Sequence, residues 1–396
     1  MSQLRVAIIA PPWLPIPPNG YGGIEPVLEG LIKGLVARDV YVEVFSIGAS
    51  KLPKGAKNRF LYDQPQYDSI AFPGYEMFPI IGAQLQFALN EIINRGFDII
   101  HDHNGFTGPL LLSWATHNKN LPPAVHTFHG PPFGKMPNLP DNTPFWEQLS
   151  VNPGRLWYIG ISNTLVAKAP EALKPRILPT VYNAIDTSIY PFVADKKDYY
   201  ITLARFSRDK GQHVAVRLCK KLGARLRMAG TVAGIGTNQK LFMELANPLS
   251  PYRHDKDFKY YSDYILPQTV HDKKITYAGN IAGKRKMSFI SHSKALLFPI
   301  DWDEPFGMAV IEAMACGTPV VAMNRGAMPE IIEHGRNGFL ADTEEEFFEY
   351  MQRVDEIDPV ECRKSVEEKF SASIMADLYI ARYEAVISAD KKDKST

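Results

Sequence analysis

Two glutamates frame the most chemically suggestive stretch of the chain, Asp303 to Val321, which reads DEPFGMAVIEAMACGTPVV. Pro305 holds the loop that carries Glu304, Gly307 frees the backbone, and a helix begins near Met308, so Glu312 projects from about its second turn. A helix N-terminus offers unpaired N–H groups and the positive end of its dipole, which suits a phosphate. A carboxylate beside an anion site needs another purpose, and holding the hydroxyls of a ribose or a sugar is the natural one. Gly317 then closes the helix and Pro319 opens a strand. Arg205 and Lys210, in RFSRDKG, stand where another strand gives way to a helix, a position for working cations rather than for two solvated surface charges.

The N-terminal half holds a glycine-rich turn, GYGG at Gly20 to Gly23, followed by Glu25, and four histidines, His101, His103, His126 and His129, each near the end of an apolar run. Imidazole is a common metal ligand, but HDHNG lacks the further ligand spacing of a metallohydrolase, and no Asp-x-Asp metal motif stands out, so no metal site is expected. Asp102, His103 and Asn104 read either as lining for an acceptor or as caps on a strand end. Gly230, Gly234 and Gly236 do not form a dinucleotide fingerprint.

These residues need a frame that brings strand ends together. Arg5–Ala10 and Val40–Ile47 are short apolar runs with a helical pattern between them, in which Val27, Leu28, Leu31, Ile32, Leu35 and Val36 recur at three and four. Phe97–His103, Ala124–Gly130 and Leu156–Ser162 continue the series. A second series follows a polar stretch near 195–198: strands at Tyr199–Ala204, Arg225–Ala229, Ile275–Ala278, Ala295–Phe298 and Pro319–Met323, with helices at Gln212–Leu222 and Met308–Ala315. Such alternation predicts parallel, doubly wound sheets, whose carboxyl edges bind ligands. The tyrosine- and charge-rich stretch 244–274 reads as an insertion or a helix–loop excursion.

The segment DEPFGMAVIEAMACGTPVV resembles the signature of glycosyltransferase family 4, in which two glutamates separated by seven residues precede an EAMACGTPVV-like run. The likeness extends to RFSRDKG as an Arg-x4-Lys phosphate clamp, to YNAIDTSIY at Tyr182–Tyr190 and to the GYGGIE loop. It implies an α/β protein of the GT-B fold, two Rossmann-like domains facing each other across a central cleft, with an acceptor-side domain over 1–185 and a nucleotide-sugar domain over 195–370. A C-terminal helix at about 371–388 is expected to pack back onto the first. The implied activity is that of a retaining, metal-independent glycosyltransferase that moves a hexose, by family frequency glucose from UDP-glucose, to an acceptor hydroxyl; because the strand-end motifs of the first domain offer no well-placed nucleophilic carboxylate, front-face attack is the expected course. By the same likeness Arg205 and Lys210 neutralise the donor diphosphate and Glu312 holds the ribose. Glu304 contacts the transferred sugar or its acceptor, and the backbone of Phe306, Gly307 and Met308 meets the sugar or diphosphate. Gly22 and Gly23 approach the diphosphate and acceptor with Glu25 beside them, and His129 touches the donor sugar. The nucleotide sugar is a co-substrate, and no separate cofactor is implied. An epimerase or phosphorylase of the same fold, or a nucleotide-sugar sensor, are the rival readings.

Composition narrows the partners. The chain has 396 residues with 44 Lys and Arg against 43 Asp and Glu, a formal net charge of +1, so the basic excess of a nucleic-acid binder is missing. A hydrophobic fraction of 45% is that of an ordinary globular protein. Arg217, Lys220, Lys221, Arg225 and Arg227 form a local basic run, read as a solvated face, with a weak peripheral membrane contact as the alternative. Cys219, Cys316 and Cys362 are far apart with no CxxC pair, pointing to a reducing compartment. The apolar run near the N-terminus is too short for a signal segment or a membrane span, and a cytoplasmic protein is expected.

Overall fold

The computed structural model describes residues 3–18, 20, 22–66, 74–130, 132–134 and 141–393. Tyr21 of the glycine-rich turn, and 131 and 135–140 of the loop expected to shape the acceptor side, lie outside the described residues. The chain divides into two compact units. One takes in the N-terminal stretch to Pro18, Gly22–Ala184 and the last helix from Ala372, and the other is built on Ile185–Ser371.

The first unit contains β1 (Arg5–Ile9), β2 (Tyr41–Ser46), β3 (Lys57–Phe60), β4 (Ile99–Asp102), β5 (Ala124–Phe128), β6 (Leu156–Gly160) and β7 (Ile177–Leu178), all parallel and ordered β3-β2-β1-β4-β5-β6-β7. β4 and β5 are buried along their whole length, which is why they read as continuous apolar runs rather than alternating ones. β3 is mostly exposed and polar, KNRF, and carries no apolar signal; β7, the half-buried apolar pair Ile177–Leu178, is too short to read as a run.

The last helix, Ala372–Asp393, returns to this unit for local reasons. Gly30 and Gly34 lie one turn apart on helix Ile24–Val36, and a Cβ added at Gly34 would stand 2.6 Å from the Cβ of Ala376 and 3.0 Å from the Ala372 carbonyl oxygen. Two small faces therefore meet backbone to backbone. Arg38 then pairs with Asp377 at 2.5 Å, and the buried Tyr379 and Tyr383 reach Thr127 of β5 and His101 of β4.

The second unit contains β8 (Lys197–Leu203), β9 (Leu226–Ala229), β10 (Ile275–Gly279), β11 (Ser293–Phe298), β12 (Val320–Met323) and β13 (Gly338–Ala341), all parallel and ordered β10-β9-β8-β11-β12-β13. Leu296, Leu297, Val320 and Val321 are fully buried, each worth about 1.5–3 kcal/mol relative to exposure. Stretch 244–274, read as an excursion, is mostly helical. It carries Lys256–Tyr260, a π-helical turn at Tyr261–Ile265 and Leu266–His271, pinned by buried Phe258, Tyr260 and Tyr261. Among the described residues no helix is long and apolar enough to cross a membrane.

Both sheets therefore share one plan. In each, the strand order reverses beside the first strand of the series, between β1 and β4 and between β8 and β11. That reversal splits the flanking loops apart at the carboxyl edge and leaves a crevice, the usual ligand site of open α/β sheets.

Candidate functional site

In the second unit, the loops leaving β8 and β11 carry the expected cations and carboxylates. The turn after β8 is packed without a spare atom: Gly211 sits at φ +70°, and a Cβ there would lie 1.8 Å from the Pro299 carbonyl oxygen. The Asp301 N–H donates to the Asp209 carbonyl at 2.8 Å, and the Gln212 amide donates to the Arg205 carbonyl at 2.9 Å. These contacts tie the RFSRDKG loop to the segment following β11.

They bring Lys210 to Glu304. The ammonium reaches Glu304 Oε2 at 2.5 Å, both side chains being largely buried, and lies 4.5 Å from the centroid of the Trp302 ring. Trp302 Nε1 donates to the same carboxylate oxygen at 2.9 Å. The Glu304 backbone is itself held from the other side. Gly326, at φ +58°, approaches so closely that a Cβ would stand 2.3 Å from both Glu304 N and O, and the Ala327 N–H donates to the Glu304 carbonyl at 2.9 Å.

Arg205 stands apart from that pair. It is ion-paired with Asp257 and has Asp209 at 3.9 Å. Burial pushes the Asp257 carboxyl above the usual carboxylate range, and Arg205 opposes that shift.

Gly307, at φ +105°, caps helix Met308–Ala315, a conformation that favours glycine. Its neighbour Phe306 is buried against Phe370, and Met308 opens the helix, so the backbone of these three residues is fixed at the helix N-terminus. Glu312 is buried within the helix. Its Oε1 accepts from Lys286 Nζ at 2.6 Å and from Tyr190 Oη at 2.9 Å. Burial, and then the Glu312 charge, drive the Tyr190 hydroxyl far above its ordinary pKa, so it acts only as a donor.

The first unit places the histidines at the β1/β4 crevice and on β5. His103 Nδ1 lies 2.7 Å from His129 Nε2, His101 Nε2 2.8 Å from Thr127 Oγ1, and His126 Nδ1 2.6 Å from Asp102 Oδ2. Asp102 also accepts from the Asn104 amide at 2.7 Å, and that amide donates to the Ile9 carbonyl at 3.1 Å. Gly108 leaves room for the Asp102 carboxylate, since a Cβ there would stand 1.8 Å from Oδ2. Burial holds His101 and His103 neutral well below the ordinary histidine pKa and lowers His129 to about 3. The four imidazoles thus pair with one another, a hydroxyl and a carboxylate. Among the described residues no group of three or more His, Cys, Asp or Glu is placed to hold a metal ion.

Gly22 and Gly23 precede helix Ile24–Val36, and Gly23 is exposed with open space where a Cβ would stand. Glu25 is buried, which raises its pKa against the opposing pull of backbone N–H groups at the helix start. Its carboxylate is thereby engaged with its own helix.

The structure therefore joins Lys210 to Glu304 and pairs Arg205 and Glu312 each with a different partner. Asp257, Lys286, Tyr190, Trp302 and Gly326 complete the second-unit site and carry no motif of their own. Tyr190 closes the YNAIDTSIY run, and Trp302 adjoins the acidic signature; those adjacencies are the only signals that pointed to them.

Residues 191–369 match the family model described as glycosyl transferases group 1, and residues 21–188 match that described as glycosyltransferase family 4. An uncharacterized glycosyltransferase of Methanocaldococcus jannaschii is 24% identical over 327 residues, covering 81% of this chain and 80% of the relative. The sucrose-phosphate synthase of Thermosynechococcus elongatus superposes with a TM-score of 0.74 at 17% identity, over 98% of this chain and all of that one. Anabaena HepE, solved in complex with UDP and glucose, gives a TM-score of 0.65 at 15% identity, over 96% of this chain and all of the other. With two α/β units of parallel sheet and family matches running along both, the chain belongs to the family-4-like glycosyltransferases of the GT-B fold.

Proposed function

We propose that this glycosyltransferase is a retaining hexosyltransferase that takes glucose from UDP-glucose, without a metal ion, and passes it to an acceptor hydroxyl. The observation that carries the reading is the set of cations and carboxylates at the β8/β11 crevice: Lys210 on Glu304, Arg205 on Asp257, and Glu312 on Lys286 and Tyr190. Arg205 and Lys210 would take the diphosphate. Glu312, oriented by two donors, would accept from the ribose hydroxyls. Glu304 would meet the transferred sugar, and the backbone of Phe306, Gly307 and Met308 the sugar or diphosphate. Gly22 and Gly23 would serve the diphosphate and acceptor, and His129 the sugar. UDP and glucose are favoured because HepE was solved with them.

Cleavage of the anomeric C–O bond through an oxocarbenium-like transition state leaves negative charge growing on the departing phosphate. One cation about 4 Å away, at an effective dielectric near 20, supplies on the order of 4 kcal/mol gross. That supply needs no metal. Retention without a protein nucleophile requires the acceptor oxygen to enter on the leaving-group face, with the departing phosphate taking its proton. Asp102 is fully buried and bonded to His126 and Asn104, and the buried Glu25 carboxylate is held by backbone N–H groups of its own helix start, which favours this front-face course.

The test is nucleoside diphosphate release from UDP-, GDP- and ADP-sugars, with and without EDTA, followed by NMR of the product's anomeric centre. UDP-glucose turnover that resists EDTA and gives an α-glucoside supports the proposal. A glycosyl-enzyme trapped on an Asp or Glu, an inverted product, or consumption of inorganic phosphate would overturn it.

A further inference from the structure

The second unit holds a cavity of about 290 Å³ at the carboxyl edge of β8, β11 and β12, lined in part by helix Gln212–Leu222 and helix Glu344–Gln352. Its size is at the small end of ligand sites, roughly 300–1,000 Å³. The β8–β9 and β11–β12 crossovers run in opposite directions along the sheet, so right-handed connections put helix Gln212–Leu222 and helix Met308–Ala315 on opposite faces. The cavity therefore lies on the face away from the helix that carries Glu312. Arg205, Lys210 and Glu304 are not part of its lining.

Three guanidiniums converge on it from three segments: Arg208 from the turn after β8, Arg217 from the helix that follows, and Arg325 from the loop after β12. Two carboxylates accompany them. Glu344 pairs with Arg217 and ties the two helices together, and Asp301 Oδ1 lies 3.3 Å from Arg325 Nη1. Among the described residues Arg208 has no carboxylate partner, and its guanidinium stands 5.7 Å from the centroid of the exposed Tyr264 ring. His213 sits within this cluster. Burial, and then the Arg208 and Arg217 charges, hold it below the ordinary histidine pKa, and the Glu344 and Asp301 charges that oppose them act more weakly. Apolar surface lies beside the cations, in the half-buried Val214 and Met323, backed by Phe347.

From this we infer that the second unit carries an anion site separate from the β8/β11 crevice and shaped for a phosphate monoester, its phosphate between Arg208 and Arg325 and its organic group over Val214 and Met323. A monocarboxylate would meet one guanidinium at an exposed pair and gain little over water. A phosphate monoester carries about −1.5 to −2 charges and three acceptor oxygens, so it can engage two forks at once while Asp301 and Glu344 keep their places. Guanidinium forks match phosphate oxygens bidentately. The organic group then covers carbon that inorganic phosphate would leave wet. This site is additional to the donor-binding residues of the transferase reading and is detected by binding alone, without turnover.

The probe is phenyl phosphate, titrated against the full chain by calorimetry at neutral pH, with inorganic phosphate and benzoate run beside it. The expected result is saturable phenyl phosphate binding, at least threefold tighter than inorganic phosphate and at least tenfold tighter than benzoate. Arg208→Gln and Arg325→Gln are each expected to weaken it at least tenfold. Both side chains are on the surface, so their replacement spares the core. Two controls are expected to stay within twofold of the wild type: Lys210→Ala, which removes a cation of the crevice, and Arg353→Gln, which removes an exposed arginine paired with Glu349 and Glu356. Binding lost with Lys210→Ala but indifferent to Arg208→Gln and Arg325→Gln would put the phosphate in the crevice and overturn the second site. Benzoate binding as tightly as phenyl phosphate would overturn the phosphate assignment, and inorganic phosphate doing so would overturn the monoester. UDP release from UDP-glucose, followed in parallel, keeps the two claims apart. Release without phenyl phosphate binding sinks only this site, while binding with the expected variant pattern and no release from any donor supports the site and sinks the transferase reading.

Discussion

Lys210 and Glu304, ninety-four positions apart in sequence, share an ion pair at the carboxyl edge of the second sheet. Trp302 completes it, with its ring beside the ammonium and its N–H on the carboxylate. Each partner keeps the other's charge compensated in a largely buried place, where an isolated charge would be expensive. On the proposed reading, a diphosphate beside Lys210 would offer that cation a second anion and free Glu304 to meet a hydroxyl.

Lys210→Ala is therefore expected to lower the kcat/KM for UDP release from UDP-glucose by about 10²–10³, the usual cost of losing one preorganised charge at a developing anion. Initial rates with saturating and subsaturating donor decide it. A loss of less than threefold would remove Lys210 from the phosphate.

Gly326 tests whether the Glu304 loop needs its backing. Gly326→Ala adds a Cβ 2.3 Å from the Glu304 backbone at φ +58°, so the loop must shift, at a cost of about 1–3 kcal/mol for the backbone conformation alone. Gly335, at φ +79° with nothing within 4 Å, supplies the matched control, because Gly335→Ala carries backbone strain without a clash. Both variants are expected to melt at lower temperature. Only Gly326→Ala is expected to lose activity by tenfold or more, and equal activities would show that the loop's position is not critical.

The Lys286 and Tyr190 contacts to Glu312 make a separable case. Lys286→Met leaves a buried carboxylate with one hydroxyl donor, so on the proposed reading Glu312 would be less well aimed at the ribose. Ribose contacts persist from ground state to transition state, and loss of such uniform binding raises KM with little change in kcat. A rise of about tenfold in the donor KM is expected, with Tyr190→Phe producing a smaller one. A fall in kcat at constant KM would place Glu312 in the chemistry instead.

These cases also mark what the sequence could reveal. Strands buried on both faces, such as Ile99–Asp102 and Val320–Met323, announce themselves because a parallel sheet needs unbroken apolar runs. The helix Met308–Ala315 has matching bounds in sequence and structure because Gly307 and Gly317 punctuate it. β3 and β7 were silent, one exposed and polar and the other two residues long. Asp257 could not be foreseen as the partner of Arg205, since a salt bridge across 52 positions depends on how the helical excursion folds back, and that is fixed by Phe258, Tyr260 and Tyr261 finding the core. Lys286 on Glu312 is of the same kind. Each is a pairing made by topology, between residues whose local sequence reads as an ordinary charged surface. The four histidines were visible as a group, but their pairing required the β4–β5 register that sets Asp102 beside His126.

That histidine group sets the pH response of the first unit. His101 and His103 are buried and stay neutral in the folded protein well below 6.5, chiefly through desolvation and then through the neighbouring imidazoles, and His129 is lowered the same way to about 3. The unfolded chain protonates these groups near pH 6.5. Above that pH neither state binds the protons and stability is unaffected. As pH falls below it, the unfolded state takes up protons that the folded state refuses, so stability declines, by about 1.4 kcal/mol per pH unit for each fully buried histidine. The window extends down to the folded-state values. Between pH 7.5 and 5.0 most carboxylates remain ionised in both states, so denaturant unfolding across that range reports chiefly the histidines, including the partly buried His213 of the second unit, which shifts in the same direction, while Glu25 and Asp257, raised by burial, act in the opposite sense. Unfolding free energy is expected to drop over this range, and His103→Gln, which cannot take up a proton there, is expected to flatten the slope. A wild-type profile that is level from pH 7.5 to 5.0 would mean that these imidazoles already share a proton in the folded state.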